Sequence, residues 1–163
     1  MNDLFAPPGD DWRPVSKQLG TLRRLVLSAS AVLGVAVIVV LYFLLGPPTW
    51  WLALALVLVL SLAVLGWIMI GRNARSWGYA ERDEDLYIKH GVAFRELIAV
   101  PYGRMQFVDI NAGPLEQALG IASIRLHTAS PGTSARIPGL PKEEAARLRD
   151  RLTSLGEAQA AGL

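Results

Sequence analysis

The sequence contains no cysteine and only two histidines among its 163 residues. The absence of cysteine excludes a disulfide framework, a thiolate metal site and a cysteine nucleophile. Two histidines are also too few for a histidine-rich metal site. The sequence therefore predicts no bound metal and no cofactor, and it identifies no catalytic residue.

Charged residues are absent from two long stretches, residues 25–45 and residues 50–70. At about 1.5 Å per helical residue, each stretch is roughly 30 Å long, which matches the hydrocarbon thickness of a bilayer. A cleaved signal peptide is disfavoured because acidic residues precede the first stretch and a second stretch follows it. We predict transmembrane helices at 25–45 and 50–70, joined by a short extracytoplasmic turn at 46–49.

The charges that flank these stretches are all basic. Arg23 and Arg24 precede the first stretch, and Arg72 and Arg75 follow the second. The positive-inside rule then predicts a multi-pass protein of the plasma membrane with both termini in the cytoplasm. Because the basic residues are concentrated here, the formal charge of +2 does not indicate a nucleic-acid partner.

The interiors of the predicted spans contain no ionisable residue. This argues against a transporter, a proton relay or an intramembrane protease, which all need buried polar chemistry. Ser30 and Gly34 form a small-xxx-small pair, a candidate point of close approach between the two helices. The lipid bilayer is the predicted environment of both helices.

Residues 1–24 are predicted to form a cytoplasmic N-terminal tail and an interfacial segment. The stretch through Pro14 contains the turn-forming run Pro-Pro-Gly-Asp-Asp and is typical of a mobile tail. Val15, Leu19 and Leu22 then recur at helical spacing beside basic residues. They indicate either a short interfacial helix or further turns of the first membrane helix, and the pattern favours neither.

Residues 76–156 are predicted to form a cytoplasmic α+β domain. Ala122, Ile124 and Leu126 alternate with polar residues, which is the period of a strand with one buried face. Other short apolar runs bounded by turn residues lie at 86–88, 94–100, 105–110 and 135–137. Several strands at this spacing predict a small antiparallel β sandwich or barrel.

Helical signals follow the strands at two places. The stretch 113–120 predicts one helical turn that ends in a glycine, and Pro141 begins a last helix that Gly156 stops. The last helix carries an apolar stripe of Ala145, Leu148, Leu152 and Leu155. We expect this C-terminal helix to cap the sandwich and a flexible tail to follow at 157–163.

Motifs in this domain resemble those of a known family, the YdbS-like bacterial pleckstrin-homology (PH) domain membrane proteins. The matching stretches are VPYGRMQFV at 100–108, GPLE at 113–116, LGIA at 119–122, LHTA at 126–129 and IPGL at 137–140. With the two-span hairpin before them, the resemblance covers residues 25–155. It implies a PH-like fold of two near-orthogonal sheets capped by one C-terminal helix, facing the cytoplasm.

The resemblance implies binding and no reaction. PH-like modules bind lipids, peptides or other proteins. Members of this family are often encoded beside a larger membrane protein with several such modules, which makes that protein the first candidate partner. The chain departs from the family at Gln117 and Ala118, where members often carry basic residues. An anionic contact made there in relatives is therefore not implied here.

Tyr102, Arg104 and Gln106 are the candidate partner-binding residues. Arg104 and Gln106 share strand parity, and with Tyr102 they form a polar row in the region most like the family. Arginine and tyrosine are favoured anchors of protein interfaces. The alternative, that Gln106 satisfies a buried backbone group, has equal weight.

An acidic turn argues against the usual lipid site of PH domains. Phosphoinositide-binding members place basic residues in the loop that joins their first two strands. Here we assign that loop to residues 81–85, which read ERDED and would repel an anionic headgroup. The run lacks the glycine and spaced ligands of a calcium loop, so we interpret it as a solvated turn. His90 and His127 have no catalytic motif and are expected at the surface.

Two functions are consistent with these features. The first is a non-enzymatic, membrane-anchored PH-like interaction module that docks a partner membrane protein at the cytoplasmic face, or self-associates into a homo-oligomer. The alternative is a module that binds lipid or another hydrophobic ligand in cell-envelope homeostasis. An enzyme is disfavoured because the sequence supplies no motif that pairs a nucleophile with a base.

The predicted topology can be tested with introduced cysteines, since the chain has none of its own. Thr49→Cys lies in the predicted extracytoplasmic turn and Asn2→Cys in the predicted cytoplasmic tail. An impermeant thiol reagent applied to intact cells should label Thr49→Cys and leave Asn2→Cys unlabelled. Labelling of position 2 without position 49 would overturn the topology.

Overall fold

The computed structural model describes residues 12–46, 48–128 and 134–160. The chain divides into two compact units. Gly20–Arg72 makes one unit, and the described residues 12–19 and 73–160 make the other.

The first unit is built from two long apolar helices, α1 (Gln18–Leu45) and α2 (Thr49–Ser76). Both are long and apolar enough to cross a membrane, and none of their most apolar segment is buried inside the protein. α1 is continuous from Gln18. Of the two alternatives for the residues before the first span, further turns of the same helix is therefore the one observed.

The two helices approach each other at glycines of α2. A Cβ atom added to Gly66 would lie 3.1 Å from Leu27 Cδ2, and one added to Gly71 would meet the Arg24 guanidinium. The same guanidinium lies 5.0 Å from the ring centroid of Trp67. A Cβ at Gly34 would meet nothing within 4 Å. The Ser30–Gly34 pair is therefore not the point of close approach.

The second unit contains two antiparallel sheets. One has the strand order β1 (Arg13–Pro14), β2 (Gly78–Glu81), β3 (Asp85–His90) and β4 (Glu96–Pro101). The other has the order β5 (Met105–Asn111), β6 (Ile121–Thr128) and β7 (Ala135–Pro141). The short helix α3 (Pro114–Ala118) joins β5 to β6, and α4 (Lys142–Ala160) follows β7. This architecture confirms the predicted PH-like fold class.

The core lies between the sheets and α4. Leu86 and Ile88 of β3 and Ile124 of β6 are fully buried, as strand alternation predicts. The apolar stripe of α4 faces the same core: Ala145, Leu148 and Leu152 are at most 1% exposed, and Leu155 packs against them. The C-terminal helix therefore contributes its stripe to the core as predicted.

Two element ends differ from those predicted. α4 continues through Gly156 to Ala160, so that residues 157–160 are helical, and residues 161–163 lie outside the described part. A glycine inside a helix costs only about 1 kcal/mol relative to alanine, which packing offsets. β7 runs on through Pro138 to Pro141. A proline is tolerated there because β7 is an edge strand and a register shift accompanies it.

The described residues before α1 belong to the second unit. Arg13 and Pro14 pair with Tyr79 and Gly78 of β2, which corrects the assignment of this stretch to a tail. Val15 and Leu19 are buried in the core. We call residues 12–19 the N-terminal strap. Residues 1–11 lie outside the described part of the chain.

The strap also contacts β7 at a glycine. The backbone N–H of Ser16 donates to the carbonyl of Gly139 at 2.9 Å. Gly139 has φ +67°, and a Cβ atom there would lie 2.6 Å from Leu19 Cβ. A left-handed backbone and close packing together explain why glycine occupies this position.

Because β1 lies in the strap, both long helices fall within the β1–β2 connection. The acidic run 81–85 therefore joins the second strand to the third, which corrects its assignment to the loop between the first two strands. Residues 81–85 therefore do not correspond to the loop that binds phosphoinositides in PH domains.

The buried strap leads to a stability prediction. Leu19→Ala should lower the free energy of unfolding by about 2–4 kcal/mol, because it deletes buried methyl groups beside Gly139 and leaves a cavity. The control is Gln18→Ala at the exposed neighbouring position, where we expect a change within about 0.5 kcal/mol. Urea unfolding of the full chain in mild detergent measures both. Equal stability of the two variants would contradict a structural role for the strap.

Candidate partner-binding site

The three candidate residues occupy different environments. Tyr102 lies in a 3₁₀ turn, Tyr102–Arg104, that leads from β4 to β5, and its side chain is fully buried. The Tyr102 hydroxyl donates to the carbonyl of Arg82 at 2.9 Å, and burial raises the pKa of this phenol. Its ring is therefore part of the core and not of a recognition surface. The prediction that Tyr102 forms a polar row with Arg104 and Gln106 was wrong, because side chains in a 3₁₀ turn do not alternate as they do in a strand.

Arg104 and Gln106 remain at the surface. Both side chains are exposed, and they make no hydrogen bond or ion pair with another described residue. Gln106 is the extra residue of a bulge in β5, between Met105 paired with Thr128 and Phe107 paired with His127. The exposed amide gives no support to the alternative that Gln106 satisfies a buried backbone group.

A groove lies beside Gln106, between β5 and the C-terminal half of α4. Its volume is about 190 Å³. The strand contributes residues 105–108, and the helix contributes Leu152, Thr153, Gly156 and Glu157. β5 is at the edge of its sheet, and among the described residues no strand pairs with the outer side of its backbone. We call this feature the β5–α4 groove.

An aromatic stack borders the strand side of this groove. Phe107 is half exposed and its ring stacks on His127, with centroids 4.1 Å apart. His127 Nε2 lies 3.3 Å from an Asp109 oxygen. The other histidine is arranged similarly: His90 stacks on Trp77 at 4.4 Å and faces Glu96. Both histidines are partly exposed, in agreement with the expected surface position, and each is stacked on a neighbouring ring.

One charged cluster of this unit was not predicted from the sequence. Glu81 accepts from Arg147 at 2.5 Å, lies 2.9 Å from Arg151 Nε, and is 3.6 Å from Arg13. Its side chain is only 10% exposed. Glu81 is therefore not part of a solvated turn, although Asp83 and Glu84 are exposed.

Glu144 of α4 completes this cluster. It accepts from Arg147 Nε at 2.8 Å, from Arg13 at 3.1 Å and from the Tyr79 hydroxyl at 2.5 Å. We call this group the arginine–carboxylate cluster; it consists of Arg13, Tyr79, Glu81, Glu144, Arg147 and Arg151. It joins three segments that are far apart in sequence: the strap, β2 and α4. Sequence spacing gave no signal for it.

The cluster moves the pKa values of Glu144 and Tyr79 further from neutral pH. Hydrogen bonds from Arg147 lower the pKa of Glu144 to about 2, and burial raises the pKa of Tyr79 to about 12. Neither group is suited to proton transfer near pH 7. In the described part of the chain, no group of three or more His, Cys, Asp or Glu side chains is placed to hold a metal ion.

The family-like motif GPLE has a structural role. Glu116 accepts from the backbone N–H of Gly113 and from the Ser123 hydroxyl, both at 2.9 Å. Arg136 donates to the same hydroxyl at 3.1 Å. These bonds hold α3 against β6. At the position of departure from the family, the Gln117 amide donates to the carbonyl of Ala112 at 2.9 Å.

Comparisons with known proteins agree with the motifs. Residues 21–155 match the family model described as Bacterial PH domain. The chain is 30% identical over 149 residues to UPF0699 transmembrane protein YdbS of Bacillus subtilis (strain 168), which covers 91% of this chain and 92% of the relative. No solved structure matches the chain. The resemblance inferred from the motifs is confirmed.

Glu144 leads to a prediction about acid stability. Its carboxyl titrates near 4.5 when unperturbed and at about 2 in the folded protein. Between these values the unfolded state binds more protons, so the stabilisation is complete above about pH 5 and is lost as the pH falls toward 2. Glu144→Gln should flatten this dependence, measured as urea midpoints of the full chain in detergent across the acid range.

The matched control is Glu143→Gln, which changes the exposed neighbouring carboxylate on α4. We expect it to keep the acid dependence of the unmodified chain. Identical pH profiles for Glu144→Gln and the unmodified chain would contradict the assigned role of the cluster.

Proposed function

Because the chain belongs to the bacterial PH domain family, we propose that it is a membrane-anchored, non-enzymatic module that docks an extended segment of a partner membrane protein. The β5–α4 groove is the proposed docking site, with Arg104 and Gln106 at its edge. The partner is proposed to be a larger membrane protein that carries several PH-like modules. A second copy of this chain is the alternative partner.

The proposed topology has both helices crossing the plasma membrane and both termini in the cytoplasm. Two observations support it: the length and apolar composition of α1 and α2, and the arginines at the ends away from their connecting turn. The similarity to a Bacillus subtilis protein described as a transmembrane protein is consistent with this arrangement. The PH-like domain then works at the cytoplasmic surface.

The observation that carries the docking proposal is the free edge of β5 beside an open groove. An extended segment can hydrogen-bond to such an edge and place alternate side chains in the neighbouring groove. Gln106 and Phe107 are exposed side by side because the bulge interrupts the alternation of the strand. The exposed Arg104 guanidinium adds a charged anchor for a carboxylate on the partner.

The dimensions of the groove favour a peptide segment over a lipid. At about 190 Å³ it is smaller than the roughly 300–1,000 Å³ typical of enclosed small-molecule sites. Its lining includes Gln106, Thr153 and Glu157, and a carboxylate disfavours an acyl chain.

The docking site can be tested by filling the groove. Thr153→Arg places a long side chain on the exposed helical wall, and Ser154→Arg is the matched control at the next exposed position. Co-purification in mild detergent, with mass spectrometry of bound protein and lipid, should show at least a roughly tenfold loss of a membrane-protein partner for Thr153→Arg only.

A second pair of variants tests the charged anchor. Arg104→Ala should weaken the same co-purification, whereas Arg149→Ala, which removes an exposed arginine paired with Asp150, should not. Retention of the partner by both Arg104→Ala and Thr153→Arg would overturn the groove as docking site. A stoichiometric lipid in place of a protein would favour the alternative function in cell-envelope homeostasis.

A further inference from the structure

The loop between β3 and β4, residues 91–95, presents an exposed aromatic side chain. Phe94 is 94% exposed, the highest value among the exposed large hydrophobic side chains of the described residues. Its neighbours Ala93 and Arg95 are exposed as well. A singly exposed hydrophobic side chain is normal on a protein surface, so the distinguishing feature of Phe94 is its position at a loop tip, next to an exposed arginine.

The backbone of this loop turns tightly at Gly91. Gly91 has φ +104°, and a Cβ atom at this position would collide with the carbonyl oxygen of Phe94. The chain therefore doubles back between these two residues, which only glycine permits. The loop holds Phe94 outward by its backbone conformation and not by side-chain packing.

The base of the loop is bonded to the last turn of α2. The N–H of Gly91 donates to the Ser76 hydroxyl at 3.1 Å, and this hydroxyl donates to the carbonyl of Asn73 at 2.8 Å. The His90 ring stacks on Trp77 immediately after the helix, with centroids 4.4 Å apart. The loop is therefore anchored where the apolar helix ends.

The distance from this anchor to the predicted lipid core is short. Along α2, Ser76 follows Ile70, the last residue of the apolar run, by six residues, or roughly 9 Å of helix. The headgroup layer on each face of a bilayer is about 5–8 Å thick. Arg72 and Arg75 lie within this interval and face no acidic residue nearby in sequence. The loop base is thus within reach of the headgroup layer.

We propose that the 91–95 loop docks on the lipid surface of the membrane that α1 and α2 cross, with Phe94 inserted among the headgroups. The phenyl ring suits the boundary between headgroups and acyl chains, and Arg95 pairs with lipid phosphates. The tether of α2 raises the effective concentration of the loop at this surface, so that a contact too weak for a free domain is occupied. The inference rests on the proposed membrane topology and is independent of the β5–α4 groove.

The test uses the full chain in vesicles that combine zwitterionic and anionic phospholipids. A single cysteine at Ala93→Cys carries an environment-sensitive fluorophore, in chains with Phe94 and with Phe94→Ser, and quenchers are attached to the lipids. Leu115→Cys, exposed on α3, reports on a part of the domain outside the loop. Leu58→Cys, within the apolar run of α2, reports on insertion itself.

We expect the label at position 93 to be quenched by shallow lipid quenchers and its emission to shift to the blue. Phe94→Ser should remove both effects, Arg95→Glu should weaken them, and the label at position 115 should show neither. Quenching at 58 without quenching at 93 would overturn the inference while leaving the membrane topology intact. Absence of quenching at 58 would overturn the topology and the inference with it. Equal quenching at 93 and 115, or at 93 with and without Phe94, would also overturn the loop as the docking site.

Discussion

The arginine–carboxylate cluster is the interaction on which the rest of the domain depends. It pairs Glu81 and Glu144 with guanidinium groups from the strap and from α4, so that each partly buried carboxylate keeps charged partners. Removing one member would leave an uncompensated charge at the junction, which is more costly than the net value of the pairs. The cluster thereby fixes α4 over the sheets and the strap beside β2.

Along the chain, the helical hairpin lies between two strands of the same sheet. The strap ends in the first two residues of α1, and β2 follows α2 after a short link, so that the helical hairpin is inserted into one strand-to-strand connection. Both ends of the hairpin continue into the core of the same domain through Leu19 on one side and Tyr79 on the other. Truncation before α1 would therefore remove part of the core and not only a membrane anchor.

The family-like motifs are mostly structural in this chain. Glu116 accepts a hydrogen bond from the N–H of Gly113 at the start of α3, and the Tyr102 hydroxyl donates to the carbonyl of Arg82. Gly139 leaves room for Leu19 of the strap. The two proposed contact surfaces differ in this respect: the edge of β5 overlaps the motif stretch 100–108, whereas the tip of the β3–β4 loop lies outside the motifs.

The sequence by itself determined the two apolar helices, five of the seven strands (β3 to β7) and the buried stripe of α4. These follow from run length and local periodicity, which act between residues close in the chain. Only the tertiary structure decided the pairing of Arg13 with Glu144, the burial of Tyr102 and the inclusion of the strap in the core. Each depends on contacts between residues far apart in sequence, or on a 3₁₀ turn that interrupts the strand period. Residue spacing does not predict these contacts or this turn, because the packing of the whole domain determines which residues become neighbours in space.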